Sequence, residues 1–254
     1  MKVRLLGSGT SSGVPRIGGD WGECDPAEPR NRRTRASILV ETARTRILVD
    51  TSPDLREQLL AAGVSDLDAV IWTHDHADHC HGIDDLRQLY HARGAPVRGL
   101  ARLETMAALT GRFPYVFHGR AGYPPTALIE PLVDTIELGD IKVIVTDQPH
   151  GNITSAGLRF EGEGVSIGYA TDFNEMTADM RTLYQDLDAW FVDALRRRPH
   201  PTHPDLARVL GWIGELAPKR AILCHMDQTM DYATLASELP DGIVPGYDGL
   251  ELIL

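Results

Sequence analysis

No run in this chain approaches the roughly 20 consecutive apolar residues that a bilayer-spanning helix needs. Its opening, Met1-Lys2-Val3-Arg4-Leu5-Leu6-Gly7-Ser8-Gly9, reaches Gly and Ser too soon for a secretory leader, so the expected location is the cytoplasm and no membrane partner is expected. Cysteine is scarce. Cys24, Cys80 and Cys224 are odd in number and widely separated, which argues against a disulfide framework and suits free thiols in a reducing compartment. Positive charge is also in short supply: 25 Lys and Arg stand against 36 Asp and Glu, a formal net charge of -11. The chain therefore lacks the basic footprint that nucleic-acid phosphates demand, and nucleic acid is not an expected partner. No short-period repeat, low-complexity tract or compositional break divides the 254 residues, and a hydrophobic content of 43% supports a sizeable core. A single domain over residues 1–254 is the expectation.

What the chain does have is histidine in one place. His74-Asp75-His76-Ala77-Asp78-His79 packs four candidate metal ligands into six residues, directly after the apolar run from Leu67 to Thr73. Imidazole nitrogen and carboxylate oxygen suit zinc and, less selectively, manganese or iron. A chain leaving a strand into a tight turn points the alternate residues His74 and His76 at one ion, and Asp78 and His79 then face a second. A His-rich surface loop is the bland alternative, but three histidines and an aspartate at this spacing rarely arise without a metal. Asp75 and His81 read as orienting or solvated groups, because the primary positions are already filled.

This pattern resembles the HxHxDH signature of the metallo-β-lactamase superfamily. The resemblance implies a further His after a later strand, an Asp bridging two metals after another, and a last His near the C-terminus. His150 in TDQPHG, Asp172 in YATDF and His225 in ILCHM match those positions, each at the C-terminal end of an apolar or β-branched segment. The ligand set implied is His74, His76, Asp78, His79, His150, Asp172 and His225, holding two divalent ions, zinc or manganese or iron. The fold implied is an α/β four-layer αββα sandwich, two mixed sheets with helices on the outer faces.

Short strand-like runs punctuated by Gly and Pro fit that architecture. Strands are expected at Val3 to Leu6, Ser37 to Glu41, Arg46 to Asp50, Ala69 to Trp72, Val97 to Leu100, Ile141 to Thr146, Leu158 to Glu161, Val165 to Ala170, Ala189 to Val192 and Ala221 to Leu223. Helices are expected at Pro53 to Ala62, stopped by Gly63, and at Asp84 to His91, Leu103 to Leu109, Thr177 to Tyr184, Pro204 to Leu216 and Tyr232 to Glu238. The turn-rich stretch Gly111 to Pro125 reads as a surface or lid loop near the site.

Two cations a few ångströms apart lower the pKa of a bridging water and neutralise the oxygens of the group under attack, for which a phosphodiester is a natural target. Its leaving oxygen needs a proton donor. His203, beside the expected helix start at Pro204, is either an ordinary capping-loop histidine or that general acid or a phosphate ligand. Asp78 and His203 are the catalytic candidates. Arginine clusters at Arg30 to Arg35 and Arg196 to Arg198 are either solvated faces or anion grips, and Arg32, Arg33 and His203 are the candidates for substrate phosphate.

Along most of its length the chain is similar to the phosphoribosyl 1,2-cyclic phosphate phosphodiesterases of the carbon-phosphorus lyase pathway. The matching segments are LLGSGTSSGVP, PRNRRTRAS, LVDTSPDLREQLL, THDHADHCHGID, the RPHPTHPDL region and GYDGLEL. The resemblance implies a dinuclear metal-dependent phosphodiesterase acting on a small phosphorylated ribose or nucleotide-like substrate, with His203 assisting leaving-group departure and a homodimer as the plausible state. One departure stands out: the loop GGDWGECDP has only Cys24, and Gln228 follows His225 by three residues, where the family has ligands for a structural zinc. Two alternatives compete. A tRNA 3′-processing nuclease shares the metal motif but brings a protruding arm and a basic surface, and a metal-bearing nucleotide-binding or sensor module would bind without turnover.

Overall fold

Where apolar residues run without interruption, the chain forms strands buried from end to end. Ser37–Glu41, Ala69–Trp72, Ala189–Asp193 and Ala221–Cys224 are buried throughout in the computed structural model, which describes residues 1–254. Strands of that kind belong inside sheets covered on both faces. In chain order the elements of the first half are β1 (Lys2–Gly7), β2 (Ser37–Glu41), β3 (Arg46–Val49), α1 (Leu55–Ala62), β4 (Ala69–Trp72), α2 (Ala77–Cys80), α3 (Leu86–Arg93), β5 (Val97–Ala101), α4 (Leu103–Arg112), α5 (Pro114–His118) and β6 (Ala127–Pro131). The second half holds β7 (Thr135–Leu138), β8 (Ile141–His150), β9 (Ile153–Gly162), β10 (Val165–Ala170), α6 (Ala178–Leu183), β11 (Ala189–Asp193), α7 (Leu206–Leu216), β12 (Ala221–Cys224), α8 (Tyr232–Glu238), β13 (Ile243–Pro245) and β14 (Glu251–Ile253).

The strands pair into two seven-stranded mixed sheets, ordered β14-β1-β2-β3-β4-β5-β6 and β13-β12-β11-β10-β9-β8-β7. A cluster of 25 buried residues, among them Val3, Ile38, Ile71, Phe160, Tyr169 and Phe191, fills the space between the sheets. The outer face of the first sheet packs on α1, α3, α4 and α5 through Leu59, Leu86, Leu109 and Phe117. That of the second packs on α6, α7 and α8 through Met180, Val209, Ile213 and Leu235. The result is the expected αββα sandwich. No helix is long and apolar enough to cross a membrane, and all three cysteines are free and buried.

Strand direction decides where the loops meet. β3, β4 and β5 run parallel, as do β10, β11 and β12. β8 and β10 are each antiparallel to β9, so they share one direction. The C-terminal ends of β3, β4, β8, β10, β11 and β12 are therefore delivered in two sets, one per sheet, and the residues at or just past them are Asp50, Thr73 and His74, His150, Thr171 and Asp172, Asp193 and His225.

Most expected elements form within a residue or two of their expected ends, and Gly63 takes the left-handed conformation (φ 66°) that stops α1. Four short strands, β6, β7, β13 and β14, were not expected; they are the edge strands of the two sheets. The stretch Gly111 to Pro125 is not the simple loop its turn residues suggest. Pro114 starts α5, whose Val116 and Phe117 are buried, and Phe117 packs edge-on against Trp72 with ring centroids 5.9 Å apart. Pro at the first helical turn lacks only a hydrogen bond the helix would not make, so it starts the helix rather than breaking it.

The GYDG segment acts as a tie. The Asp248 carboxylate accepts from the backbone N–H and hydroxyl of Ser8 (both 2.8 Å) and from those of Thr34 (2.7 and 2.6 Å), joining the loops that follow β1 and precede β2 to the C-terminal strand. Asp248→Ala strands these donors, and we expect a loss of about 2 kcal/mol in stability, read as a lower urea midpoint at unchanged slope.

Candidate metal centre

Four histidines are each held by one ring nitrogen so that the other faces a common centre. His79 donates through Nδ1 to Asp50 (2.7 Å), and Asp50 also accepts from the Thr73 amide (2.8 Å) and hydroxyl (2.9 Å). Because the Thr73 hydroxyl gives its proton to Asp50, it can only accept from His74 Nδ1, 3.0 Å away. His150 Nδ1 donates to the Thr202 carbonyl (2.9 Å), and His203 Nδ1 to Asp193 (2.7 Å). In all four rings Nδ1 is engaged away from the centre and Nε2 is directed inward, an arrangement that fixes the orientation of metal-binding histidines.

The inward atoms sort themselves around one carboxylate. Asp172 Oδ1 lies 3.1 Å from His79 Nε2 and 3.4 Å from His225 Nε2, while Oδ2 lies 3.7 Å from His74 Nε2, 3.6 Å from His150 Nε2 and 3.8 Å from His203 Nε2. Asp78 stands on the Oδ1 side, 3.4 Å from His79 and 3.5 Å from His225. Two donor sets result, His74, His76, His150 with Asp172, and Asp78, His79, His225 with Asp172, the ligand atoms of each lying within 4.8 Å of one another. A third overlapping set joins Asp172, Asp193, His203 and His225. His76 is the one exposed member and marks the mouth of the site.

These residues fit divalent ions on two physical grounds. The Nε2 atoms of His74, His79 and His225 are fully buried with no hydrogen-bond partner, a state that is costly unless something fills it. The electrostatics also ask for positive charge. Burial alone would raise the Asp172 carboxyl, but His225, His79 and His203 outweigh it and hold the group well below the usual carboxylate range. Burial would likewise depress His79, yet Asp172, Asp78 and Asp50 push it well above an ordinary histidine. His74 and His150 move the other way, lowered first by burial. Protons on His79 and His225 thus stand where a cation belongs. Backbone strain gathers here as well: Asp50, Asp172 and His225 have φ of 64°, 54° and 56°, a left-handed conformation that non-glycine residues avoid outside sites that need it.

All seven residues expected as ligands therefore converge, and so does His203. Asp75 instead pairs with Arg112 at the rim, and His81 packs its ring on Phe113. The phosphate role expected for Arg33 is corrected. Arg33 is 2% exposed, and its guanidinium donates to the carbonyls of Asp227 (3.2 Å) and Met230 and to Asn31 Oδ1 (3.3 Å), so it ties the 21–33 loop to the segment after β12. Arg32 is exposed with its guanidinium over Trp21, outside the converging atoms. Sequence reasoning missed Asp193 and Asp50. Both end strands as the expected ligands do, and that shared position was the signal available.

His225 is lowered by burial but raised more by Asp172 and Asp193, to about 9. In the ion-free protein its ring is therefore protonated below that pH and must release a proton to ligate. Zinc affinity should climb as pH rises towards 9, with protons released on binding; calorimetry giving the same heat in buffers of different ionisation enthalpy would contradict this.

Comparison with known proteins agrees with the geometry. A beta-lactamase superfamily domain matches residues 45–226. An octanoyltransferase of Porphyromonas gingivalis is 35% identical over 264 residues, which take in 100% of this chain and 52% of that protein. A ribonuclease Z of Methanopyrus kandleri is 31% identical over 137 residues, 49% of this chain and 43% of that protein. The chain spans about half the length of the curated relatives it matches. A solved structure of a new diphosphatase from the PhnP family shares 36% identity at a TM-score of 0.90, over 99% of this chain and 96% of that one. Since the domain match takes in β3 through β12 and every strand end that converges on Asp172, the chain belongs to the beta-lactamase superfamily.

Proposed function

We propose that the protein is a dinuclear metal-dependent phosphodiesterase that hydrolyses a small cyclic phosphate or another ribose phosphate of nucleotide-like size. The observation that carries this reading is the division of Asp172, one oxygen to each donor set, with the Asp193–His203 pair beside it. His74, His76, His150 and Asp172 Oδ2 would hold one ion, and Asp78, His79, His225 and Asp172 Oδ1 the other. Zinc or manganese suits these nitrogen and oxygen donors, and iron is also compatible. When bound, two such ions supply the Lewis acidity that activates water and neutralises phosphate oxygens.

The chain's own residues supply the rest. His203 presents Nε2 to the site with its side chain 11% exposed, and its ring stacks on His225 at 4.8 Å and 11°. It is placed to hand a proton to the leaving oxygen. Asp193, fully buried, holds His203 by Nδ1 and stabilises the imidazolium that precedes proton transfer, which makes it a positioning residue. Likeness to a PhnP-family diphosphatase at 36% identity supports phosphorus–oxygen cleavage on a small substrate. The ribonuclease Z relative keeps a nuclease as second reading, against which stands the excess of 36 acidic over 25 basic residues.

Purified protein loaded with manganese or zinc should hydrolyse bis-p-nitrophenyl phosphate, and full metal occupancy without turnover would favour the binding-module reading instead. His203→Ala should lower kcat about 100-fold or more with metal content retained, and Asp193→Asn should lower kcat with little change in KM. Asp172→Ala should reduce occupancy of both ions by elemental analysis, and unchanged stoichiometry would rule out a shared ligand.

A further inference from the structure

On the helical layer that covers the first sheet, a cavity of about 520 Å³ opens between α3 and the segment leading from α5 into β6. Its walls include Asp84, Arg87, His91, Tyr115, Arg120 and Tyr123, none of which belongs to the donor sets of the metal centre. A volume of that size falls in the range of small-ligand pockets, roughly 300–1,000 Å³.

Acidic residues outnumber basic ones by 36 to 25, and many arginines, such as Arg4, Arg46, Arg98, Arg112 and Arg181, sit against carboxylates. Arg87 and Arg120 have no carboxylate within 4.0 Å and meet at the same cavity, with His91 beside them. Arg87 lies over the Tyr123 ring at 5.9 Å. Arg120 and Tyr123 are locked together by paired backbone hydrogen bonds of 3.0 and 2.9 Å across a two-residue turn, Ala121 (φ 50°) and Gly122 (φ 87°). Positive φ at both central positions is the conformation of a tight two-residue turn, so Arg120 and Tyr123 are presented together from a defined turn. At the other end, burial and the neighbouring Asp84 carboxylate push the Tyr115 phenol up, which places that hydroxyl and carboxylate side by side in the cavity wall.

We propose that this cavity is a second binding site, separate from the metal centre, for a free nucleoside monophosphate. Paired guanidiniums match phosphate oxygens. Tyrosine rings, Tyr123 being 69% exposed and Tyr115 40%, offer faces on which a planar base stacks. Asp84 supplies the acceptor that sugar hydroxyls need.

The probe is adenosine 5′-monophosphate, titrated by calorimetry into the metal-loaded full chain. We expect saturable binding that falls at least ten-fold in the double variant Arg87→Ala/Arg120→Ala and measurably in Tyr123→Ala, with turnover of bis-p-nitrophenyl phosphate unchanged in both. His203→Ala should leave this binding intact. Absence of binding to the wild-type protein, or binding that survives in the double variant but is lost on His203→Ala, would overturn the proposal. Should the double variant fold poorly by circular dichroism, the exposed Tyr123→Ala decides: unaltered affinity there overturns it too.

Discussion

One carboxylate organises this molecule's chemistry. Asp172 is 2% exposed and has ring nitrogens on both of its oxygens, so its position determines whether two donor sets exist or none. It is held from several sides. The Thr171 hydroxyl donates to Oδ1 at 2.6 Å, the Asp172 amide donates to Asp193, and the Ser155 hydroxyl donates to the Asp172 carbonyl at 2.8 Å. Its left-handed backbone turns the chain off the end of β10, where the side chain lies among the histidines, and such strain persists only where its surroundings over-determine it.

Behind the inward-facing donor atoms stands a set of groups that orient them. Asp50, Thr73, Asp193 and the Thr202 carbonyl each take the outward proton of a histidine, and each is placed by a strand end or by the loop before α7. A buried carboxylate that received no such proton would be costly. Here the histidine and the carboxylate satisfy one another, and the net demand for positive charge is passed to the centre. The acidity of the chain as a whole has little to do with this; what counts is that the negative groups of the site are desolvated.

Much of the site was legible because metal chemistry restricts residue type and spacing so tightly. HDHADH announces itself, and His150, Asp172 and His225 follow from asking which strand-like runs end on a suitable donor. The same question applied to Ile47-Leu48-Val49-Asp50 and to Trp190-Phe191-Val192-Asp193 would have found the two orienting aspartates, but an aspartate at a strand end is ordinary until the partner ring is seen. Arg33 was misread for a comparable reason: PRNRRTR looks like a surface cluster, and only the folded chain shows one of its arginines threaded inward to carbonyls of a segment about 200 residues away. The edge strands escaped because β7, β13 and β14 are short and partly exposed, with little periodicity to read. In Gly111 to Pro125 the glycine and proline content outweighed the buried Val116 and Phe117 pair that forms α5.

The donors are drawn from both sheets, from His74 near the first third of the chain to His225 near its end. During synthesis, then, the HDHADH segment emerges from the ribosome with only half of each donor set to offer. Neither set is complete until Asp172 has been translated, and the second also waits for His225. Metallation through these sets would consequently be a late event in the life of the polypeptide, and a cation captured early by the HDHADH turn alone would be held by too few bonds to resist exchange.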